Sequence, residues 1–250
     1  MRRGQKNGDG GYLIPRDIKA DLLISFGLGD NWKFELDLIK HGHVKNFIIF
    51  DHSQYTYKYV RDTLSRLLPR RFRFKLLLGR IIVLIRYLRD FKILKIKHIQ
   101  KKITKLGSIK GKNITDKEIN LYQVFESYTT YKDLFVILKI DIEGDEYEVI
   151  DQILDFYPRI KLIIIEFHNI HSRTYEFENC IKKLKMKYKL IHTHYNNNGR
   201  VVNDIPDVVE ITFLISSENF TVTKVRKLPR SMDRPNNSLL KDFEITYDKR

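Results

Sequence analysis

Short apolar runs alternate with segments of helical periodicity along much of the chain. The runs are rich in β-branched residues and have the length of fully buried strands. Between them, apolar residues recur every three or four positions, as in Trp32, Leu36 and Ile39. Buried strands that alternate with helices are typical of a parallel sheet covered on both faces. The pattern therefore predicts a doubly wound α/β fold, with strands near 21–26, 44–50, 134–140, 158–166, 190–195 and 208–215.

Two carboxylates, Asp141 and Glu143, end the central run at 134–140. Helical spacing then resumes, so the chain passes from a strand through a tight turn into a helix. Ligands of open α/β sheets bind outside the carboxyl ends of the strands, which favours a site here. The alternative is that Asp141 caps the helix, while Asp145 and Glu146 complement its dipole. Capping explains Asp145 and Glu146 well, but it explains two acids around one apolar residue less well.

A glycine turn follows the first predicted strand, with Gly27, Gly29 and Asp30 in sequence before a helix. Glycine lets the backbone approach a ligand closely, and the start of a helix supplies unpaired N–H groups. The second strand ends at Asp51, 24 positions after Gly27. An acid at that spacing is placed to bind ribose hydroxyls, although a strand-end aspartate also commonly starts a turn. His52 either reaches the same pocket or lies on a surface loop.

The segment Lys-Ile-Asp-Ile-Glu-Gly-Asp-Glu-Tyr-Glu-Val-Ile at 139–150 resembles the central motif of the FkbM-type methyltransferases. Shorter strings resemble the same family, at 9–12, 166–168, 192–194, 206–210 and 234–237. The resemblance runs from about residue 8 to about residue 237, apart from one basic segment. It implies a Rossmann-like methyltransferase sheet and transfer of a methyl group from S-adenosylmethionine to oxygen. It also implies a sugar or glycan acceptor, and a glycine turn that holds the amino-acid end of the cofactor.

Methyl transfer to a hydroxyl needs both partners held close together and a base that removes the hydroxyl proton. Histidine is the natural base near neutral pH. His168 is the first candidate, because its strand would end beside Asp141, and His194 is the second. We therefore predict catalytic roles for His168, Asp141, Glu143 and His194, and cofactor binding by Gly27, Gly29, Asp30, Asp51, His52 and Asp141.

The same side chains raise the question of a metal ion. Histidine with carboxylates suits Mn²⁺ or Fe²⁺, and carboxylates with water suit Mg²⁺. The spacings do not match a specific closed site. A divalent metal therefore stays open as an alternative, and we predict no metal ligands.

The positive charge is concentrated in one segment. The whole chain carries a formal charge of +15, but residues 55–112 alone hold 18 Lys and Arg against Asp62 and Asp90. The rest of the chain holds 28 basic and 29 acidic residues. We therefore predict a basic helical insertion in a near-neutral domain.

The basic segment shows helical spacing at 57–68 and 76–99, and one side of the second helix carries Leu77, Ile81, Leu84, Ile85 and Leu88. A solvated basic rim is one reading of this pattern. The others are an anionic membrane surface bound through 72–105, a phosphate-bearing acceptor, and nucleic acid, which is less favoured because no RNA-binding signature is present.

After the basic segment, Thr115 and Glu118 fit a capping box that would open a helix through Leu121.

Length and composition fit a single globular domain over 1–250. One cysteine predicts a reducing compartment, and the amino terminus lacks the apolar core of a signal peptide. We therefore expect a cytoplasmic protein, with peripheral attachment to a membrane left open. The rival function is a non-catalytic protein that binds nucleic acid or a membrane on a methyltransferase-like fold. The glycine turn, Asp51 and the Asp-x-Glu-Gly turn argue against it.

Overall fold

A computed structural model describes residues 1–29, 31–52, 74–93, 97–104, 117–129, 134–203, 205–218 and 227–246. Its helices are α1 (Lys33–Lys40), α2 (Phe74–Ile93), α3 (Leu121–Tyr128), α4 (Ile150–Asp155) and α5 (Thr174–Lys185). Its strands are β1 (Arg2–Gly4), β2 (Gly11–Leu13), β3 (Leu22–Phe26), β4 (Asn46–Phe50), β5 (Lys97–Ile99), β6 (Lys102–Ile103), β7 (Glu118–Ile119), β8 (Val136–Ile140), β9 (Ile160–Phe167), β10 (Tyr188–Tyr195), β11 (Val201–Val202), β12 (Ile205–Pro206), β13 (Val209–Ile215), β14 (Lys227–Leu228) and β15 (Ile245–Thr246).

Seven strands form the main sheet, in the order β10-β13-β9-β8-β3-β4-β5. The neighbours from β9 to β5 pair in parallel, whereas β13 pairs antiparallel with both β9 and β10. The chain builds outward from β3 in both directions, first to β4 and later to β8. The carboxyl ends of β3 and β8 therefore flank a switch point in the strand order, where open α/β sheets bind ligands.

The side chains of the sheet alternate between two apolar cores. Ile24 and Leu138 face the core that contains α3, α4 and α5. Leu23 and Ile137 face the other core, which contains α1 and the inner side of α2. Because both faces are covered, the central strands are mostly apolar rather than alternating. This arrangement confirms the predicted doubly wound α/β fold.

The rotation of α2 leaves part of its predicted apolar side exposed. Ile85 and Leu88, which the sequence places on that side, are 59% and 39% exposed. Tyr87 and Phe91 are buried instead, and both contact the ring of Trp32 edge to face at 5.8 Å. Aromatic pairing on Trp32 therefore sets the rotation of the helix.

Other predictions for the basic segment have mixed outcomes. The helix expected at 57–68 lies outside the described residues, as do the side chains of Leu77 and Leu84. The helix predicted at 76–99 ends at Ile93, and Lys97–Ile99 forms the edge strand of the main sheet.

The predicted capping box at Thr115 is wrong for α3. Glu118 lies in β7, and the helix begins at Leu121 after the cap residue Asn120. The Asn120 side chain accepts a hydrogen bond from the Gln123 backbone, and the Gln123 side chain accepts one from the Asn120 backbone. This reciprocal pair satisfies two backbone donors at the start of the helix.

Among the described helices, none combines the length and the apolar content required to cross a bilayer.

Candidate active site

A cavity lies at the carboxyl ends of the central strands and contains about 660 Å³ of empty space, part of it open to solvent. Its lining includes six of the residues predicted for the site, Gly27, Gly29, Asp51, His52, Asp141 and Glu143. Asp30 lies outside the described residues. The structure therefore brings these six residues to one cavity, whose lining does not include His168 or His194, and the roles of all these residues stay predictions.

The Gly27 turn is shaped by its contact with the neighbouring strand. Gly27 has a φ of +81°, and a Cβ there would overlap the carbonyl oxygen of Asp141. Gly27 N donates to Phe50 O at 3.0 Å, and Asp141 N donates to Phe26 O at 2.9 Å. Glycine is thus required because three strand ends meet at this point.

Asp51 connects the second strand to the glycine turn. Its side chain is buried, and its Oδ2 accepts a hydrogen bond from Leu28 N at 2.8 Å. Asp51 N donates to Ile99 O at 3.1 Å, which fixes the residue beside β5. Asp51 therefore lines the cavity and also stabilises the turn, a structural role that the sequence did not reveal.

Lys139 is a buried cation beneath the site, on β8. Its Nζ donates to Gly27 O at 3.0 Å and lies 3.7 Å from both Glu35 Oε1 and Asp141 Oδ2. Burial lowers the pKa of Lys139, but the carboxylates Glu35 and Asp141 raise it more, so the group stays charged. For Asp141, burial raises the carboxyl pKa and Lys139 opposes that shift. The lysine thereby holds the glycine turn and Asp141 together.

The turn after β8 wraps around the carboxylate of Glu146. Glu146 is fully buried, and its Oε1 accepts hydrogen bonds from Ile142 N at 3.0 Å and Gly144 N at 3.1 Å. Glu143 lies between them with a φ of 58°, which is unusual for a residue with a bulky side chain. Backbone strain of this kind persists where the surroundings enforce it. Glu146 therefore organises the turn, in addition to lying in the first turn of a short helical segment as the sequence predicted.

His168 lies at the end of the neighbouring strand, among carboxylates. Its Nδ1 is 2.9 Å from Glu146 Oε1, and its Nε2 is 3.5 Å from Glu166 Oε1 and 3.7 Å from Glu143 Oε2. Burial lowers the pKa of His168, but the hydrogen bond to Glu146 and the charges of the other carboxylates raise it above its ordinary value. The ring is thus fixed by Glu146, with Nε2 facing the side that carries Glu143.

A second group of carboxylates lies next to His168. Oxygen atoms of Asp9, Glu166 and Glu210 lie within 4.8 Å of one another. Burial, Asp141 and Glu210 raise the pKa of Glu166 well above its usual range. Asn236 Nδ2 donates to both Asp9 and Glu210, which holds the amino-terminal segment beside the site.

Both ring nitrogens of His194 contact carboxylates. Its Nδ1 lies 3.4 Å from Glu210 Oε2, and its Nε2 lies 3.0 Å from Asp242 Oδ2. Burial lowers the pKa of His194, but these two carboxylates raise it to about 10. An imidazolium with both N–H groups bound has no lone pair for a substrate proton. These contacts suit a structural role, and the prediction of His194 as a base stays a prediction.

Asp141, Glu143 and His168 lie close enough together for their donor atoms to hold one metal ion. Their donor atoms lie within 4.8 Å of one another. The prediction that the chain uses no metal ligands stays a prediction.

Two residues of the site, Glu146 and Lys139, were not predicted as site residues from the sequence. Lys139 did leave a signal, because it interrupts an otherwise apolar run at 136–140. A charged residue inside a buried strand is seldom tolerated without a partner. Glu146 left no comparable signal, because an acid in the first turn of a helix is common.

The comparison with protein families decides the classification. A model of the methyltransferase FkbM domain matches residues 88–222, slightly more than half of the chain. This chain belongs to the FkbM methyltransferase family. The match includes the turn after β8, His168 and His194, but it begins after Gly27 and Asp51. As an FkbM-domain methyltransferase, the chain uses S-adenosylmethionine as its methyl donor.

Solved structures with a similar fold are distant in sequence. A Streptococcus pneumoniae protein described as a tRNA methyltransferase, in complex with S-adenosyl-L-methionine, is 10% identical, with 82% of this chain and 70% of that chain covered and a TM-score of 0.40. A protein described as an rRNA methylase from Clostridium thermocellum is 11% identical, with 81% and 90% covered and a TM-score of 0.41. Similarity of this degree does not identify an acceptor. The comparison with curated proteins found no match to this chain.

Proposed function

We propose that this FkbM-family methyltransferase transfers the methyl group of S-adenosylmethionine to a hydroxyl oxygen of a sugar or glycan. The observation that carries the proposal is the position of His168. Its ring is fixed through Nδ1, and its Nε2 lies 3.7 Å from Oε2 of Glu143, a residue that lines the cavity. A fixed imidazole beside a ligand cavity is suited to accept a proton from an attacking hydroxyl.

The cavity lining offers polar groups that suit the cofactor. When bound, S-adenosylmethionine supplies an electrophilic methyl group on a sulfonium. The Gly27–Gly29 turn would hold its amino-acid end, and Asp51 would accept hydrogen bonds from its ribose. Among the described residues, no atom lies within 4 Å of the position that a Cβ would take at Gly29, so the turn is open to a ligand there.

His168 would accept the acceptor's proton through Nε2. The Glu146 carboxylate holds Nδ1 at 2.9 Å, which leaves Nε2 as the atom that faces the acceptor side. Glu146 would also stabilise the imidazolium that forms, because a buried anion beside the ring favours its charged state. Proton transfer of this kind commonly contributes about 10² to 10⁴ in rate.

The carboxylates around His168 suit a polyhydroxylated acceptor. Glu143 is 87% exposed at its side chain, so its oxygens are accessible to a ligand. An ionised carboxylate only accepts hydrogen bonds, and sugar hydroxyls can donate them. Glu143 would thus position the acceptor, while His168 takes the proton.

The test is methyl transfer with isotope-labelled S-adenosylmethionine to a panel of mono- and oligosaccharides, nucleotide sugars and RNA. We expect a product on a saccharide that survives alkaline hydrolysis as an O-methyl ether. His168→Ala should abolish most of the transfer, whereas His41→Ala, a histidine at the end of α1, should not. Transfer to RNA or to nitrogen, with none to any saccharide, would overturn the assignment of the acceptor. Full activity of His168→Ala would overturn the role of the base.

A further inference from the structure

A ridge of exposed apolar side chains runs along α2. Ile82, Ile85 and Leu88 are 40%, 59% and 39% exposed. They follow one another at intervals of three residues, so they lie on one side of the helix. Single exposed apolar residues are ordinary, but a row on one helix marks a contact surface.

The opposite side of α2 is firmly packed. Tyr87 and Phe91 stack on each other with ring centroids 4.1 Å apart, and both contact Trp32. Trp32 Nε1 donates to Asp90 Oδ2 at 3.0 Å. These contacts fix the rotation of the helix, so the Ile82–Ile85–Leu88 ridge is held facing outward.

Basic residues border the ridge. Arg86 and Arg89 are exposed on the same helix. Asp90 is the only acid in the sequence of α2, and it is buried, where it bonds Trp32 and Arg89. The helix lies within the segment 55–112, which holds 18 basic residues and two acids. The outward side of α2 therefore combines the apolar ridge with two exposed arginines, Arg89 among the ridge residues and Arg86 beside them.

We propose that the outward face of α2 docks on the anionic surface of a lipid bilayer. An amphipathic helix in the plane of a membrane buries its apolar side and places Lys and Arg against anionic headgroups. Single-stranded RNA is read by stacking on exposed aromatic rings, but Tyr87 and Phe91 are buried. A second copy of the chain would bring the exposed arginines of two α2 helices together, which their repulsion opposes. The charge and the apolar ridge together thus favour lipid over these partners.

The experiment is co-sedimentation of the full chain with vesicles of phosphatidylcholine alone and of phosphatidylcholine with phosphatidylglycerol. We expect binding to the anionic vesicles, with weaker binding as salt rises, since the Debye length falls from ~10 Å at 0.1 M to ~3 Å at 1 M. A variant with Ile82→Ser, Ile85→Ser and Leu88→Ser should lose at least about tenfold in vesicle affinity. A matched variant with Leu239→Ser and Leu240→Ser removes exposed apolar residues elsewhere and should bind as the wild type does.

Circular dichroism and gel filtration establish that each variant is folded. Arg86→Glu gives a second test that leaves the ridge intact and should also weaken binding. Equal affinity of the folded ridge variant and the wild type would overturn the proposal, as would absence of binding to anionic vesicles. A wild-type dimer that the ridge substitutions dissociate would assign the face to self-association. RNA binding that the ridge substitutions abolish, without vesicle binding, would assign it to nucleic acid.

Discussion

Glu146 Oε1 lies 2.9 Å from His168 Nδ1, and the same oxygen accepts hydrogen bonds from the backbone of the turn that carries Asp141 and Glu143. One buried carboxylate thus sets the position of the proposed base and of the acids beside the cavity. The arrangement couples the protonation of His168 to the geometry of the turn.

The pH dependence of methyl transfer tests this coupling. The pKa of His168 is raised by Glu146 and its neighbours, so the ring holds a proton to higher pH than an ordinary histidine. A base must be neutral to act, and transfer should therefore rise with pH through an inflection above ~6.5. Glu146→Gln keeps an acceptor for the backbone but removes the charge. In this variant the inflection should shift to lower pH, and the maximal rate should fall as the ring loses its orientation.

A purely structural role for Glu146 would give a different profile. The maximal rate would fall with the amount of folded protein, and the inflection would stay where it is in the wild type. Glu148→Gln changes a neighbouring, partly exposed acid and serves as the control.

Asp51→Asn separates the two roles of Asp51. The asparagine oxygen can still accept the hydrogen bond from Leu28 N, so the turn should stay folded. The charged acceptor for ribose is lost, and hydrogen bonds to charged groups contribute about 1.5–3 kcal/mol. We expect S-adenosylmethionine affinity to fall by about 10- to 100-fold in calorimetric titration. Unchanged affinity would remove Asp51 from the cofactor site.

Gly27→Ala and Gly42→Ala form a matched pair. Both glycines have positive φ, +81° and +67°, so each alanine meets the same backbone penalty of about 1 kcal/mol. At Gly27 the new Cβ would also overlap the carbonyl oxygen of Asp141, whereas it meets no described atom within 4 Å at Gly42. Urea denaturation should show a loss of several kcal/mol at Gly27 and about 1 kcal/mol at Gly42. Equal losses would contradict the close approach of the two strand ends.

The stability of the fold should depend on the charge of His194. Its pKa is about 10 in the folded chain and ~6.5 in an unfolded one, so folding retains a proton that the unfolded chain loses. This contribution is complete below pH ~6.5 and disappears as pH rises towards 10. The difference in free energy of unfolding between wild type and His194→Gln should shrink over that range. A difference that stays constant with pH would show that His194 is neutral in the folded chain.

The sequence predicted the fold and the convergence of the site because both follow from strand ends. A buried apolar run that ends in an acid places that acid at the edge of the sheet, as Asp51 and Asp141 show. The role of Glu146 depends on the path of a turn and on a φ of 58° at Glu143, which local sequence does not encode. The rotation of α2 about its axis also could not be predicted from the sequence. Periodicity shows that a helix has apolar sides, but the contact with Trp32 decides which side is buried.

The most direct test of the whole account is a calorimetric titration of the purified full chain with S-adenosylmethionine, paired with a thermal melt at saturating cofactor. The account predicts one binding site per chain and a higher melting temperature with the cofactor, since a ligand that binds only the folded state stabilises it. It also predicts that S-adenosylhomocysteine competes for the same site. A folded protein that shows neither heat of binding nor thermal stabilisation at millimolar cofactor would contradict the placement of the cofactor in the cavity between Gly27, Asp51 and Asp141.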